Sequence, residues 1–231
     1  MKYLVVAAHP DDEALGAGGT LYNLKKNSDE VDICIMSGKA EARAFRPGDE
    51  ELSGDMEESF RILGINKAYI GDFPNIRFNT VPHLELVKHI ENAILESKPD
   101  IVITHHACDT NNDHMHTSLA CQAAVRLFQR REDVYPVSEL WFMEVPSSTE
   151  WSVNNSMNKF SPDTFFEIGE DGLECKLKAL GAYRGVKRPY PHPRSDEAIR
   201  GLAAFRGSQS GCLYAESFET AFRRIAPHTG K

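Results

Sequence analysis

The sequence predicts an α/β protein built around a parallel, doubly wound sheet. Three observations carry this prediction. Short apolar runs alternate with helix-length segments from Lys2 to Glu144, the order that βαβ units with right-handed crossovers write into a chain. The first run, Lys2–Ala8, is largely apolar and stops at His9-Pro10-Asp11-Asp12-Glu13. A buried strand thus delivers an imidazole and three carboxylates to its carboxyl end, where open α/β sheets bind ligands. From Pro146 the composition shifts toward Ser, Asn, Pro and Arg, which marks a segment of another kind.

The elements follow in order. Lys2–Ala8 is the first strand, and Pro10 keeps His9 extended and delays the helix. Ala14–Lys26 is the first helix, with Leu15, Leu21, Tyr22 and Leu24 as its apolar positions. Glu30–Ser37 alternates, then runs apolar, and ends at Gly38 as the second strand. Lys39–Leu52 is charged without a clean period and reads as a loop over the strand ends. Gly54–Leu63 is a helix stopped by Gly64, and Lys67–Ile70 is the third strand. Val81–Ser97 places Leu84, Val87, Ile90, Ile94 and Leu95 on one helical face, and Pro99 ends it. Ile101–Thr104 is the fourth strand, Thr117–Arg130 a helix and Glu139–Glu144 the fifth strand. Beyond Pro146, Phe165–Ile168 reads as an edge strand and Leu173–Tyr183 as a helix. Asp196–Arg206 reads as a helix with Ser195 at its N-cap.

Composition narrows the function. A chain of 231 residues with 41% apolar and 26% charged residues is that of an ordinary globular protein. A net charge of −8 argues against nucleic-acid or anionic-membrane partners. No run reaches the roughly 18 apolar residues of a membrane span. The sequence predicts no signal peptide before the first strand, and the five cysteines form no CxxC pair. These features predict reduced thiols and a cytoplasmic location, with neither a disulfide framework nor a cysteine metal site.

The chemistry gathers at two strand ends. The fourth strand ends in His105-His106, and the loop Ala107–Asn112 leads to Asp113-His114-Met115-His116. Neighbouring parallel strands would let His9 and Asp12 meet His114 around one ion, and two His with one carboxylate is a catalytic zinc set. Asp11 is then placed to take a proton from metal-activated water. Either Asp113 or Asp109 would hold the second nitrogen of a ligand His. At least one of His105 and His106 reads as an ordinary strand-end residue. His116, two residues past His114, reads as surface or as support for a ligand. His83, His89 and His228 have no carboxylate company and read as solvated. Capping of the first helix would account for Asp11 and Asp12 alone, but not for the preceding His9 or for the His-rich end of the fourth strand. Gly16-Ala17-Gly18-Gly19 lacks the GxGxxG spacing, which leaves close helix–strand packing. Ser147-Ser148 lacks the GxSxG elbow of a serine hydrolase. Glu13 is left as a helix-start carboxylate.

Ala8-His9-Pro10-Asp11-Asp12-Glu13 with Gly16 and Gly18-Gly19, and Asp109-Thr110-Asn111-Asn112-Asp113-His114 after the fourth strand, resemble the LmbE-like (PIG-L) zinc-dependent de-N-acetylases. The resemblance extends to Tyr183-Arg184 and to Tyr190-Pro191-His192-Pro193-Arg194-Ser195. It implies a Rossmann-like three-layer αβα fold with a mainly parallel sheet. It also implies hydrolysis of the acetamide of an N-acetyl amino sugar, whether free, phosphorylated or nucleotide-linked. One Zn2+ per chain would be held by His9, Asp12 and His114, other divalent ions remaining compatible, with Asp11 as base. Arg43 or Arg46 resembles a substrate-binding arginine.

One departure stands out. Many members read His-Pro-Asp-His where this chain has Asn111 at the first His. An amide donates a hydrogen bond to a developing oxyanion but supplies no proton. His192, fixed between Pro191 and Pro193 and flanked by Arg188 and Arg194, is the candidate donor to the leaving amine, in its own or a neighbouring subunit. A structural loop residue is its alternative reading. Arg43, Arg46, Arg188 and Arg194 would pair with a substrate phosphate, although a solvated loop explains any one of them.

The expectation is a single domain over residues 1–231, with 146–231 as an appendage that completes the active site. The partner is a small amino-sugar substrate, and a homo-oligomer is compatible. Two rivals remain: an amidase acting on a thiol-conjugate or other small amide, and a non-catalytic carbohydrate-binding module. Retention of Asp11 favours an enzyme.

Overall fold

The apolar run at the start of the chain forms β1 (Lys2–Ala7), and its side chains enter two different cores. Tyr3, Val5 and Ala7 pack into one, Leu4 and Val6 into the other, because successive side chains of a strand point to opposite faces. A strand buried on both faces belongs in the middle of a layered α/β arrangement. β1 lies there in this computed structural model, which describes residues 1–41, 47–153 and 159–225.

The chain continues through α1 (Asp12–Lys26), β2 (Glu30–Ile35), α2 (Asp49–Leu63), β3 (Lys67–Ile70), α3 (His83–Ser97) and β4 (Ile101–His105). It then forms α4 (Asn112–Ala124), β5 (Glu139–Met143), β6 (Thr164–Glu167), α5 (Gly169–Ala182), α6 (Asp196–Ser210) and β7 (Ala215–Arg223). The sheet order is β3-β2-β1-β4-β5-β7-β6. The first five strands are parallel, and β7 runs antiparallel to both β5 and β6. One core takes Leu15 and Leu21 of α1, Leu52 of α2, Leu177 of α5 and Ile199 of α6. The other takes Leu86 and Ile90 of α3 and Cys121 of α4. The result is a three-layer αβα fold with a mainly parallel sheet.

This topology positions the site. From β1 the chain winds outward to β2 and β3, then returns to place β4 on the other side of β1. The carboxyl ends of β1 and β4 therefore flank the point where the winding reverses, the usual ligand crevice. The glycines of α1 fix how closely the helix sits. A Cβ at Gly16 would lie 2.5 Å from Met143 Sδ, and one at Gly19 would lie 2.8 Å from Ile168 Cδ1. The segment serves close packing against β5 and the start of α5.

Several boundaries differ from the sequence expectation, each for a physical reason. The sequence pattern does not disclose β7, because its Glu216 and Ser217 are buried polar residues in a strand. Glu216 is satisfied by Lys176 Nζ at 2.7 Å and by the Gly19 and Thr20 N–H groups at 3.1 and 2.7 Å. Helix α4 begins at Asn112 rather than Thr117, because the Asn111 side chain accepts from the Asp113 and His114 N–H groups. It ends at Ala124, and Leu127–Gln129 is a separate single turn. Helix α2 begins at Asp49, inside the expected loop, where Glu51 Oε2 accepts the Gly48 N–H at 2.8 Å. His89 is not solvated: it packs edge-on against Phe73 at 5.6 Å, and burial lowers its pKa. His83 is exposed, whereas His228 lies outside the described residues.

Candidate metal centre

The turn after β1 is built by its own polar residues. Asp12 Oδ2 accepts the His9 N–H at 2.9 Å, and the Asp12 N–H returns to the His9 carbonyl at 3.3 Å. Asp11 between them stands at φ 105°, ψ −27°. For a residue with a Cβ this conformation costs about 1–3 kcal/mol. Asp11 makes no side-chain cap to α1, so capping does not account for it.

His114 comes from the first turn of α4 and completes the group. Donor atoms of His9, Asp12 and His114 lie within 4.8 Å of one another, and all three residues are buried. Asp12 Oδ2 is 3.4 Å from His9 Nδ1 and 3.2 Å from His114 Nε2. The far nitrogens answer the question that spacing left open. Asp113 Oδ2 holds His9 Nε2 at 2.9 Å, and Asp109 Oδ2 holds His114 Nδ1 at 3.1 Å. Both carboxylates are fixed in turn. Asp113 accepts the Ile76 and Phe78 N–H groups at 2.6 and 3.0 Å. Asp109 accepts the Asn111 N–H at 2.8 Å, Thr149 Oγ1 at 2.9 Å and the Ser148 hydroxyl. A carboxylate behind each ligand imidazole is the usual support of a metal site.

The charges point the same way. Three buried carboxylates, Asp12, Asp109 and Asp113, surround two imidazoles, and such a cluster is unstable without positive charge. With no cation, protons supply it. Burial alone would lower His114, but Asp12 and Asp109 raise it to about 10. Burial would lower His9 too, and Asp113 and Asp12 reverse that. Burial would raise Asp12, yet His114 and His9 hold it well below the usual carboxylate range. Asp109 is likewise pushed up by burial and brought down to about 2 mainly by His114. Asp113, raised by burial, is lowered on balance by His9 and the Phe78 and Ile76 N–H groups. Two imidazole nitrogens and one carboxylate oxygen, converging and buried, fit a divalent cation.

His105, Asp109 and His114 also bring donor atoms within 4.8 Å, but they do not make a second site. The His105 and His114 rings stack at 3.9 Å and 23°, so their in-plane lone pairs run nearly side by side instead of converging. His105 Nε2 already accepts the Ala8 N–H at 2.8 Å. Burial, with His114 beside it, lowers His105 to about 3, and the neutral ring stands as a wall against His114. His106 is also structural: it packs edge-on against Phe142 and Phe160. His116 is half-buried and outside the metal group.

The remaining expected residues divide. Arg194 reaches the centre: its Nη1 lies 3.2 Å from Asp11 Oδ2, and its Nε donates to Ser147 Oγ at 2.8 Å. Asn111 spends its amide oxygen on capping α4, which leaves Nδ2 as its donor. His192 Nδ1 accepts the Arg194 N–H at 3.0 Å, so a neutral ring carries its proton on Nε2. Burial, Arg194 and Arg188 lower its pKa. Arg43 and Arg46 lie outside the described residues.

Glu13 is not a plain helix-start carboxylate. It is fully buried and accepts the Asp11 N–H at 3.0 Å, Ser59 Oγ at 3.3 Å and the Tyr183 hydroxyl. Burial pushes it up to about 7, with Tyr183 opposing and Asp11 adding to the rise. Sequence reasoning also missed the Ser148 and Thr149 contacts with Asp109. Neither residue carries a local signal, since the contacts span 39 and 40 positions.

Comparison with known proteins gives the following likenesses. The family described as GlcNAc-PI de-N-acetylase (PIG-L) matches residues 4–125. A diacetylchitobiose deacetylase from Thermococcus kodakarensis is 24% identical over an alignment of 238 positions, covering 93% of this chain and 81% of that protein. Among solved structures, the conserved protein TT1542 from Thermus thermophilus superposes with a TM-score of 0.78 at 26% identity, over 99% of this chain and 98% of the other. The 4-carboxy-2-hydroxymuconate hydratase from Pseudomonas putida also superposes with a TM-score of 0.78, at 19% identity and over 100% of both chains. The last likeness is one of fold.

Proposed function

We propose that this chain, which belongs to the PIG-L family of GlcNAc-PI de-N-acetylases, is a zinc-dependent hydrolase that removes the acetyl group from an N-acetyl amino sugar. The observation that carries the reading is the buried His9–Asp12–His114 group with the Asp11 carboxylate in the same turn. Two nitrogens and one oxygen favour Zn2+, while Fe2+ or Mn2+ would also be accepted. A divalent cation held there supplies a water acidic enough to deprotonate near neutral pH and a Lewis acid for the acetamide carbonyl.

The chain's own residues do the rest. Asp11 takes the proton of the attacking water, with Arg194 holding its side chain. Asp113 and Asp109 fix the two ligand imidazoles. Asn111 Nδ2 is the available amide donor for the developing oxyanion. The amine that leaves needs one proton, which Asp11 returns or His192 Nε2 supplies. The products are acetate and the free amino sugar. Arg194, Ser148 and Thr149 all follow residue 146, which supports the view that the C-terminal segment completes the site. Arg43 and Arg46 stay proposed substrate contacts. No helix among the described residues is long and apolar enough to cross a membrane. The five cysteines are free thiols, which supports a reducing, cytoplasmic setting.

The test is acetate release from N-acetylglucosamine, its phosphate and nucleotide conjugates, and diacetylchitobiose, alongside metal analysis. Asp11→Asn should keep the metal and lose turnover by about 10²–10⁴-fold. Full turnover in that variant would remove Asp11 from the mechanism. A metal-loaded protein that releases no acetate from any sugar, but hydrolyses another small amide, would replace the substrate class.

A further inference from the structure

We propose that Glu13, braced by Tyr183 and Ser59, is a positioning residue that holds Asp11 in the backbone conformation its role requires; this rests on the reading of Asp11 as the proton acceptor. Asp11 occupies a positive-φ conformation, at φ 105°, that side chains with a Cβ avoid. The surroundings must therefore impose it. Glu13 Oε2 meets the Asp11 N–H at 3.0 Å. Its other oxygen receives Ser59 Oγ from α2 at 3.3 Å, and the Tyr183 hydroxyl from the residue that ends α5. All three side chains are buried: Glu13 is 0% exposed, Ser59 0% and Tyr183 2%.

Packing alone does not call for this arrangement. A buried carboxylate is costly unless its hydrogen bonds are filled, and an apolar residue would fill the same volume without that cost. A carboxylate has two acceptor oxygens in one plane, so it can take the main-chain N–H on one and two hydroxyls on the other. Glu13 thereby ties the turn after β1 to α2 and α5. Arg194 holds the Asp11 side chain separately. The base is thus held at two points, main chain and carboxylate, by groups from distant parts of the chain.

The experiment uses the full-length, metal-loaded protein. Glu13→Ala should lower kcat by about 10–100-fold with KM and metal stoichiometry near those of the unaltered protein. The Asp11 amide, followed by hydrogen exchange, should lose protection. Glu13→Gln, whose amide oxygen still accepts that N–H, should recover most of the loss. In an Asp11→Asn background Glu13→Ala should have little further effect on residual turnover, as expected when one residue acts through the other. Should Glu13→Ala fail to fold, Tyr183→Phe removes one brace and should show the same pattern on a smaller scale. An Asp11 amide that stays as protected as before, or a loss of turnover that persists undiminished in the Asp11→Asn background, would overturn the assignment. If the unaltered protein releases no acetate, the hydrolase reading fails, and amide protection still decides whether Glu13 holds the turn.

Discussion

The proposed ligands with their carboxylate supports, and a second tier of contacts around them, come from different regions of the chain. His9, Asp12 and His114 stand at the carboxyl ends of two neighbouring parallel strands, β1 and β4. Asp113 and Asp109, which hold the two imidazoles, belong to the same region, whereas contacts one step further out arrive from beyond β5: Ser148 and Thr149 on Asp109, Arg194 on Asp11, Tyr183 on Glu13. The first region is parallel sheet, where each strand end faces one crevice. The second is loops, helices and an antiparallel strand pair, and it reaches the crevice through single side chains. The difference is one of division of labour. On the proposed reading, the parallel half would define which ion and which reaction the site takes, and the C-terminal third would set how tightly that geometry is held.

The largest test of this division removes a ligand. His114→Ala should abolish stoichiometric metal binding and lower turnover on the order of 10³-fold or more, measured by metal analysis and acetate release. A variant that still bound one metal per chain would move the centre elsewhere. The next test touches a support from each region. Asp109→Ala should weaken metal affinity about 10–100-fold. Thr149→Val, which removes one of several donors to the same carboxylate, should weaken it by only a few-fold. Equal losses would show that the C-terminal contacts are not secondary.

The smallest effect is one of pH. In the metal-free protein His114 is raised to about 10, above the ordinary value of 6.5, because Asp12 and Asp109 outweigh its burial. A group raised on folding contributes stability that is fully present below about pH 6.5 and is lost as pH rises through about 10. The thermal unfolding temperature of the metal-free protein should therefore fall between about pH 7 and 10. The loaded protein, whose ligand imidazoles are neutral at both ends of that range, should not show this loss. Identical profiles would mean that the charge of the cluster is balanced by some other group.

What can be read in the sequence follows the same division. The strand ends are legible because His9 to Glu13 are contiguous and because alternating strands and helices predict a parallel sheet, in which the ends of the first and fourth strands can be close; that β1 pairs directly with β4 is a finding of the structure. Spacing points to a carboxylate support from Asp109 or Asp113, and the fold uses both, one on each imidazole. Strand β7 is hidden by Glu216, whose partner Lys176 lies 40 positions away. Asn111 reads as a chemical group and is also engaged in starting α4, a dual use that a motif does not disclose. Glu13 reads as a helix-start carboxylate because Tyr183, its partner, is 170 positions distant. Contacts made by single side chains across such separations leave no period or spacing in the chain.

The backbone of Asp11 also bears on how such a site changes over evolutionary time. Asn and Gly are the residues that most readily adopt a positive φ. Replacing Asp11 with either keeps the turn, and with it His9 and Asp12 in place, while deleting the carboxylate. Other side chains would distort the turn and disturb the metal group as well. The shortest path to inactivity is therefore a single substitution that leaves the ion bound, so a descendant that has turned from catalysis to binding would be expected to read His-Pro-Asn-Asp or His-Pro-Gly-Asp.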